Sequence, residues 1–238
     1  MADVKAIMQS LAGPDFEFVT AYNGDVSGNG KIIQDGSLGY EIDWSETLPN
    51  FSGYRSVFFE PQLSVMRTIL SVSLSEHLEG GARVAPVAQA LLAFGARLAT
   101  TLSADAVVWN PGKLLSQPAF FVDSVESYVN GGVFPVLVAV DFEYSDDECR
   151  LRSTGLSWFS GQEIELSGAN LRGQDLTRRG VRLVHDIAVN GPVMAPQKVP
   201  DIDDTLQIDL IPLMGPSNLL QCDVLSKLDT KAEALTLH

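Results

Sequence analysis

Glu163 and Glu165 lie two residues apart in the stretch STGLSWFSGQEIEL, residues 153–166. Alternation along a strand puts both carboxylates on one face and Ile164 and Leu166 on the other. Two acids at that spacing have the chemistry for hard-cation ligation, or for acid and base work where separate environments split their roles. On one strand they supply half of such a site, and the sequence shows no partner for them. The same pattern is general for a half-buried antiparallel sheet with a wet outer face. The expected structure is therefore a hairpin turning at Ser160-Gly161, with Leu156 and Trp158 on one face. Glu163 and Glu165 are expected to look outward to water.

His185, beside Asp186, falls in helical sequence next to an apolar stripe, where an imidazole is commonly a partly buried structural group. A Ser–His–Asp triad assembles across a fold, but no G-x-S-x-G nucleophile motif supports one. With His77, the terminal His238 and two cysteines, Cys149 and Cys222, the chain lacks a recognisable zinc set. In DVSGNGKIIQDG, residues 25–36, the first offsets of a calcium loop are present, but the twelfth position is Gly36 instead of Glu. Gly28-Asn29-Gly30 is too short for a phosphate fingerprint, and no G-x-x-x-x-G-K-[ST] exists.

VVWNPGKLL, residues 107–115, is the segment most suggestive of ligand chemistry. A strand end followed by Asn-Pro-Gly is a common place for binding loops in sheets. Trp109 offers a stacking face, Asn110 an amide and Lys113 a charge; the plainer reading is that Trp109 fills a core and Asn-Pro-Gly turns the chain. The candidate ligand-binding residues are thus Trp109, Asn110, Glu163, Glu165 and His185. No catalytic set, metal site or cofactor is expected. Arg178-Arg179 reads as a surface ion-pair spot.

The elements that must position these residues follow from periodicity. Val4 to Leu11 reads as a short helix, and Phe16 to Tyr22 as a strand. Lys31 to Gln34 and Leu38 to Trp44 pair across Asp35-Gly36, a strong hairpin signal. Residues 84–102 place Val84, Val87, Leu91, Phe94, Leu98 and Leu102 on one helical face. Ala106 to Trp109 is a short strand. A second helix starts at Pro118, a favoured first-turn position, and ends at Gly131-Gly132. Val133 to Phe142 reads as a long apolar strand, with Arg150 to Trp158 returning on it. A third helix spans about Asp175 to Val189, with Leu176, Leu183, Val184 and Ile187 inward. Thr205 to Leu210 alternates as a strand, and from about Lys227 the tail is polar.

The 238 residues are 45% hydrophobic and 19% charged, enough apolar material for a sizeable core. Thirty acidic against 16 basic residues give a net charge of −14. That surface repels phosphate backbones and anionic membranes, so neither nucleic acid nor membrane is an expected partner. It suits a basic protein partner. The N-terminus does not read as a secretory signal, and no stretch approaches 20 apolar residues. Two thiols without a C-x-x-C motif fit a reducing cytoplasm.

Three blocks recur together: ALLAFGARLATTL before AVVWNPGKLL; FFVDSVESYVNGGVFPVLVAVDF; and STGLSWFSGQEIEL before RRGVRLVHDIAVNGPV. Their order resembles the bacterial family called domain of unknown function 4261, over about residues 68–192. The resemblance carries structural blocks and no catalytic residue. By analogy with comparable families it implies an immunity-like or secretion-associated role. The expected architecture is one compact α+β domain over residues 1–238. A β-rich subregion covers 1–54, a core 55–225 and a polar tail 226–238. A mixed, mostly antiparallel sheet carries two or three helices on one face, with an N-terminal β-hairpin region. The expected function is noncatalytic protein binding; a hydrolase or small-ligand site at the Trp109-Asn110 loop is the alternative.

Overall fold

The structure, a computed structural model, describes residues 16–20, 31–35, 38–45, 50–60, 69–75, 78, 80–168, 171–203, 206–213 and 218–226. The expected Val4–Leu11 helix, the calcium-like turn residues 25–30, His77 and His238 lie outside the described residues. The protein is α+β, with mixed and mostly antiparallel sheets and packed helices, as the periodicities imply. The chain divides into two compact units, one of residues 1–108 and 115–132 and one of residues 109–114 and 133–238.

In the first unit β1 (Phe16–Thr20), β2 (Lys31–Asp35), β3 (Leu38–Ser45) and β5 (Ile69–Leu74) form an antiparallel sheet in the order β1-β2-β3-β5. The Asp35↔Leu38 pairing is the expected hairpin. Helix α1 (Ala85–Thr101) buries Leu91, Phe94 and Leu98 of the expected face, while Val84 precedes it at the N-cap and is 51% exposed; the helix packs on β5 and on α2 (Pro118–Val129). Phe94 of α1 stacks on Tyr40 of β3, with ring centroids 4.5 Å apart and planes 4° from parallel. That contact settles which face of the hairpin is inward. Helix α2 begins at Pro118, as its ring favours. A smaller sheet orders β4 (Arg55–Val57), β7 (Leu114–Ser116) and β6 (Val107–Trp109) as β4-β7-β6.

The second unit is built on six strands: β8 (Asp141–Ser145), β9 (Arg150–Thr154), β10 (Glu163–Gly168), β11 (Gln197–Pro200), β12 (Leu206–Leu213) and β13 (Leu219–Ser226). Their order is β11-β12-β13-β10-β9-β8, and only β10–β13 is parallel. Alternation sends Leu151, Ile164, Leu166, Ile208, Leu210, Leu220, Cys222 and Val224 to one buried face. Helix α5 (Gly173–Asn190) covers it with Leu176, Leu183, Val184 and Ile187, all four as expected. Burying one such side chain contributes about 1.5–3 kcal/mol, so these rows hold helix to sheet. A Cβ on Gly180 would stand 2.7 Å from Leu151 Cδ2, so only glycine lets the helix backbone come this close.

Three local expectations are corrected. The apolar run after Gly132 is no long strand: Val136–Ala139 coil into a one-turn helix, α3, and β8 starts only at Asp141. Pro135, lacking an N–H, stands at the N-cap of that turn, and Val140 N–H closes it onto Val136 O. The Leu-Ser-Trp-Phe run is helix α4 (Leu156–Ser160), not a strand arm. Gly155 at φ 103° breaks β9, and Gly161 at φ 82° ends the helix. Arg179 is no surface residue. It is 5% exposed on α5, and its Nε and Nη2 donate to Asp201 Oδ2 at 2.9 and 2.6 Å. No helix among the described residues is long and apolar enough to cross a membrane.

Candidate functional site

Trp109, Glu163 and His185 all belong to the second unit, and backbone groups engage Trp109 Nε1, Glu163 Oε1 and His185 Nδ1. Trp109 ends β6. Asn110-Pro111-Gly112 then turns the chain, with Lys113 N–H donating to Asn110 O at 3.1 Å. The indole Nε1–H donates to Ala139 O at 2.9 Å. Its ring meets Trp158 edge to face at 5.0 Å and lies along Phe159 at 5.7 Å. Phe159 in turn meets Phe134 at 4.9 Å. Such pairs add about 0.5–1.5 kcal/mol each beyond burial. Trp109 and Trp158 stay partly exposed, whereas Asn110 and Lys113 are exposed.

Glu163 does not look out to water. Its Oε1 accepts the backbone N–H of Gly155 at 2.8 Å and of Ser157 at 2.9 Å. Its Oε2 accepts the Ser153 hydroxyl at 2.5 Å, and that same oxygen of Ser153 accepts Ile164 N–H at 2.9 Å. The side chain thus supplies from β10 the N-terminal cap that α4 lacks in its own sequence, since Gly155 has none to give. A carboxylate also suits the positive end of a helix. Glu165 is likewise only 12% exposed at its side chain, and Arg152 Nε and Arg150 Nη1 donate to it at 2.5 and 3.2 Å. The outward expectation for both glutamates is corrected: the face is right, but cross-strand partners occupy the carboxylates.

His185 Nδ1 accepts Phe134 N–H at 3.2 Å, which places the ring proton of the neutral imidazole on Nε2. The bond ties α5 to the chain just before α3. The backbone of the Trp109 turn is fixed too. A Cβ on Gly112 would lie 2.7 Å from Ala139 O, and one on Gly155 2.7 Å from Gly112 Cα. Both glycines serve close backbone approach.

The structure therefore joins three of the five candidates by contacts and not by a shared polar centre. One path runs Trp109–Phe159–Phe134–His185; another runs from Glu163 through Gly155 to Gly112. Asn110 and Glu165 lie on neither path. Ser153, Gly155, Phe134 and Phe159 were missed, as was the buried Gln162. Gln162 Nε2 donates to Val193 O and Val193 N–H donates to Gln162 Oε1, both at 2.9 Å. A glycine inside strand-like sequence, as at Gly155, is the signal that was available. Cys149 is exposed and Cys222 buried, both free; burial and the adjacent Asp223 push the Cys222 thiol up. No group of three metal-capable side chains occurs among the described residues. Comparison of the chain with protein-family models, curated proteins and solved structures finds no match.

Proposed function

We propose that the protein is a noncatalytic binding protein whose partner is another protein. The observation carrying this reading is that Trp109 Nε1, both oxygens of Glu163 and Nδ1 of His185 all serve the chain's own backbone or Ser153. A general acid or base must reach a substrate atom, and these groups are already committed to positioning α4, α3 and the Trp109 turn. Exposed apolar side chains in the second unit, among them Val133 at 70% and Met194 at 77%, are the kind of surface a protein partner covers. The net charge of −14 favours a basic partner. The resemblance to domain of unknown function 4261 supports an immunity-like or secretion-associated role, and two unpaired thiols support a cytoplasmic setting.

The test is binding of purified protein to the products of adjacent genes, by calorimetry. A stoichiometric complex with one of them is expected. Turnover of ester, peptide or phosphate substrates that disappears in Glu163→Gln or His185→Asn, with the fold kept, would overturn the reading. A second reading, a small-ligand site, rests on the two partly exposed indoles of Trp109 and Trp158 next to exposed Asn110. A thermal-shift screen with metabolites separates it, since a native-state ligand raises Tm.

A further inference from the structure

The geometry points to a face-to-face dimer: the polar face of the six-stranded sheet docks on the same face of a second copy. This goes beyond the partner reading and does not depend on it.

Helix α5 covers one face of the sheet. The other face is laid out by register. One row across the strands reads Glu143, Arg152, Glu165, Gln221, Ile211. The next reads Ser145, Arg150, Ser167, Asp223, Asp209, Lys198. Glu143, Arg150, Arg152, Lys198, Ile211 and Leu213 are exposed on it. Both halves carry both signs: Arg150, Arg152, Glu143 and Glu165 stand on the β9 side of the β10–β13 boundary, and Asp209, Asp223 and Lys198 on the β12 side beside exposed Ile211 and Leu213.

Asp209 and Asp223 are directly opposed on antiparallel strands. Like charges so placed repel. Asp223 is held by neutral donors, Ser167 Oγ at 2.6 Å and Gln221 Nε2 at 2.8 Å, and Asp209 by Lys198 at 3.1 Å. Asp209 also accepts Gln207 Nε2 at 3.3 Å, and among the described residues Lys198 is the one cation in ion-pair contact with the two aspartates.

A twofold interface must be self-complementary. An axis running along the strands, between β10 and β13, maps β9 onto β12 and β8 onto β11. It lays Arg150 of one copy over the partner's Asp209, and Ser145 over the partner's Lys198. Arg150 brings Glu165 and Glu148 with it and Asp209 brings Lys198, so docking builds an alternating network, and the arriving guanidinium adds a second cation beside the two aspartates. The Arg152 stem and the apolar Ile211 share one row and cover each other. Six strands at about 4.8 Å spacing make the face roughly 25 Å wide. With strands near 20 Å, the footprint is on the order of 500 Å² per copy, small for a specific interface. A footprint of that size fits a weak, reversible dimer. The −14 charge on each copy opposes it, but salt at about 0.15 M screens that repulsion beyond about 8 Å and leaves contact pairs in place.

Sedimentation of the full chain at about 0.15 M salt, up to roughly 100 µM, reads the proposal. Wild type is expected to dimerise. Arg150→Asp and Asp209→Arg should each weaken the dimer by about tenfold or more. An equimolar mixture of the two variants should restore a 1:1 heterodimer, because both crossing pairs are again opposite in sign. Circular dichroism checks that each variant folds. If a charge reversal unfolds the chain, Arg150→Gln and Asp209→Asn replace it, with a smaller loss in the same direction expected. A wild type that stays monomeric, a dimer indifferent to these variants, or a mixture that fails to restore it overturns the proposal.

Discussion

Glu163 Oε1 lies 2.9 Å from the backbone nitrogen of Ser157, so a strand residue caps a helix that precedes it in sequence. The cap and the helix are mutually dependent. Glu163→Ala leaves two N–H groups and the Ser153 hydroxyl without their acceptor, and should cost about 2–4 kcal/mol by urea denaturation. Glu163→Gln keeps one oxygen and should cost about half of that. A Glu163→Ala variant as stable as wild type would show that the carboxylate has no capping role.

Gly155 and Gly53 share a left-handed backbone, at φ 103° and 85°, but differ in surroundings. A Cβ at Gly53 meets nothing within 4 Å, and one at Gly155 meets Gly112 Cα at 2.7 Å. Gly53→Ala should therefore cost only the conformational strain, about 1–2 kcal/mol. Gly155→Ala should cost about 3 kcal/mol or more, because the Trp109 turn must move as well. Trp fluorescence should shift in the second variant alone, since Trp109 packs on that turn.

The Arg179–Asp201 pair is almost wholly buried, at 5% and 0% side-chain exposure. Removing one partner strands a charge. Arg179→Met is expected to destabilise by about 3–5 kcal/mol, and Arg179→Met with Asp201→Leu by clearly less. The double-mutant cycle checks it: additive losses would contradict a coupled pair.

Cys222 and Cys149 should react at very different rates. Ellman's reagent is expected to titrate one thiol per native chain, the exposed Cys149, and two after unfolding. Burial, reinforced by Asp223, raises the Cys222 pKa above its ordinary 9.0. A thiol whose folded pKa is raised stabilises fully below the unfolded pKa, and that contribution is lost as pH climbs above it. Stability should fall by about 1.4 kcal/mol per pH unit above pH 9 more steeply in wild type than in Cys222→Ala.

Long periodic segments were legible in the sequence. Helix α1 announced itself by six apolar residues at helical spacing, α2 by Pro118 and Gly131-Gly132, and β2–β3 by Asp35-Gly36 between alternating strands. Short apolar runs were not, because Val136–Ala139 and Leu156–Ser160 satisfy strand and helix patterns equally over one turn. Tertiary contacts decide them: Glu163 caps one, and His185 holds the chain just before the other. The arginine at 179 looked like surface because its partner, Asp201, lies 22 residues on. Among the site residues, Asn110-Pro111-Gly112 turns the chain as the plainer reading had it, whereas Trp109 packs on Trp158 and Phe159 but stays partly exposed and so does not fill a core. Glu163 and Glu165 were placed on the right face, but pairing across strands is invisible until register is known.

The one parallel pairing of the six-stranded sheet, β10 with β13, sets an order of events during synthesis. Strands β8, β9 and β10 are neighbours in sequence and can associate as they leave the ribosome, yet β10 gains its second neighbour only when Leu219–Ser226 arrives. Until then Ile164 and Leu166 sit on an open edge of the kind that recruits foreign strands. Chains interrupted before Leu219 are thus the aggregation-prone species of this protein, and β13 is the strand that seals β10.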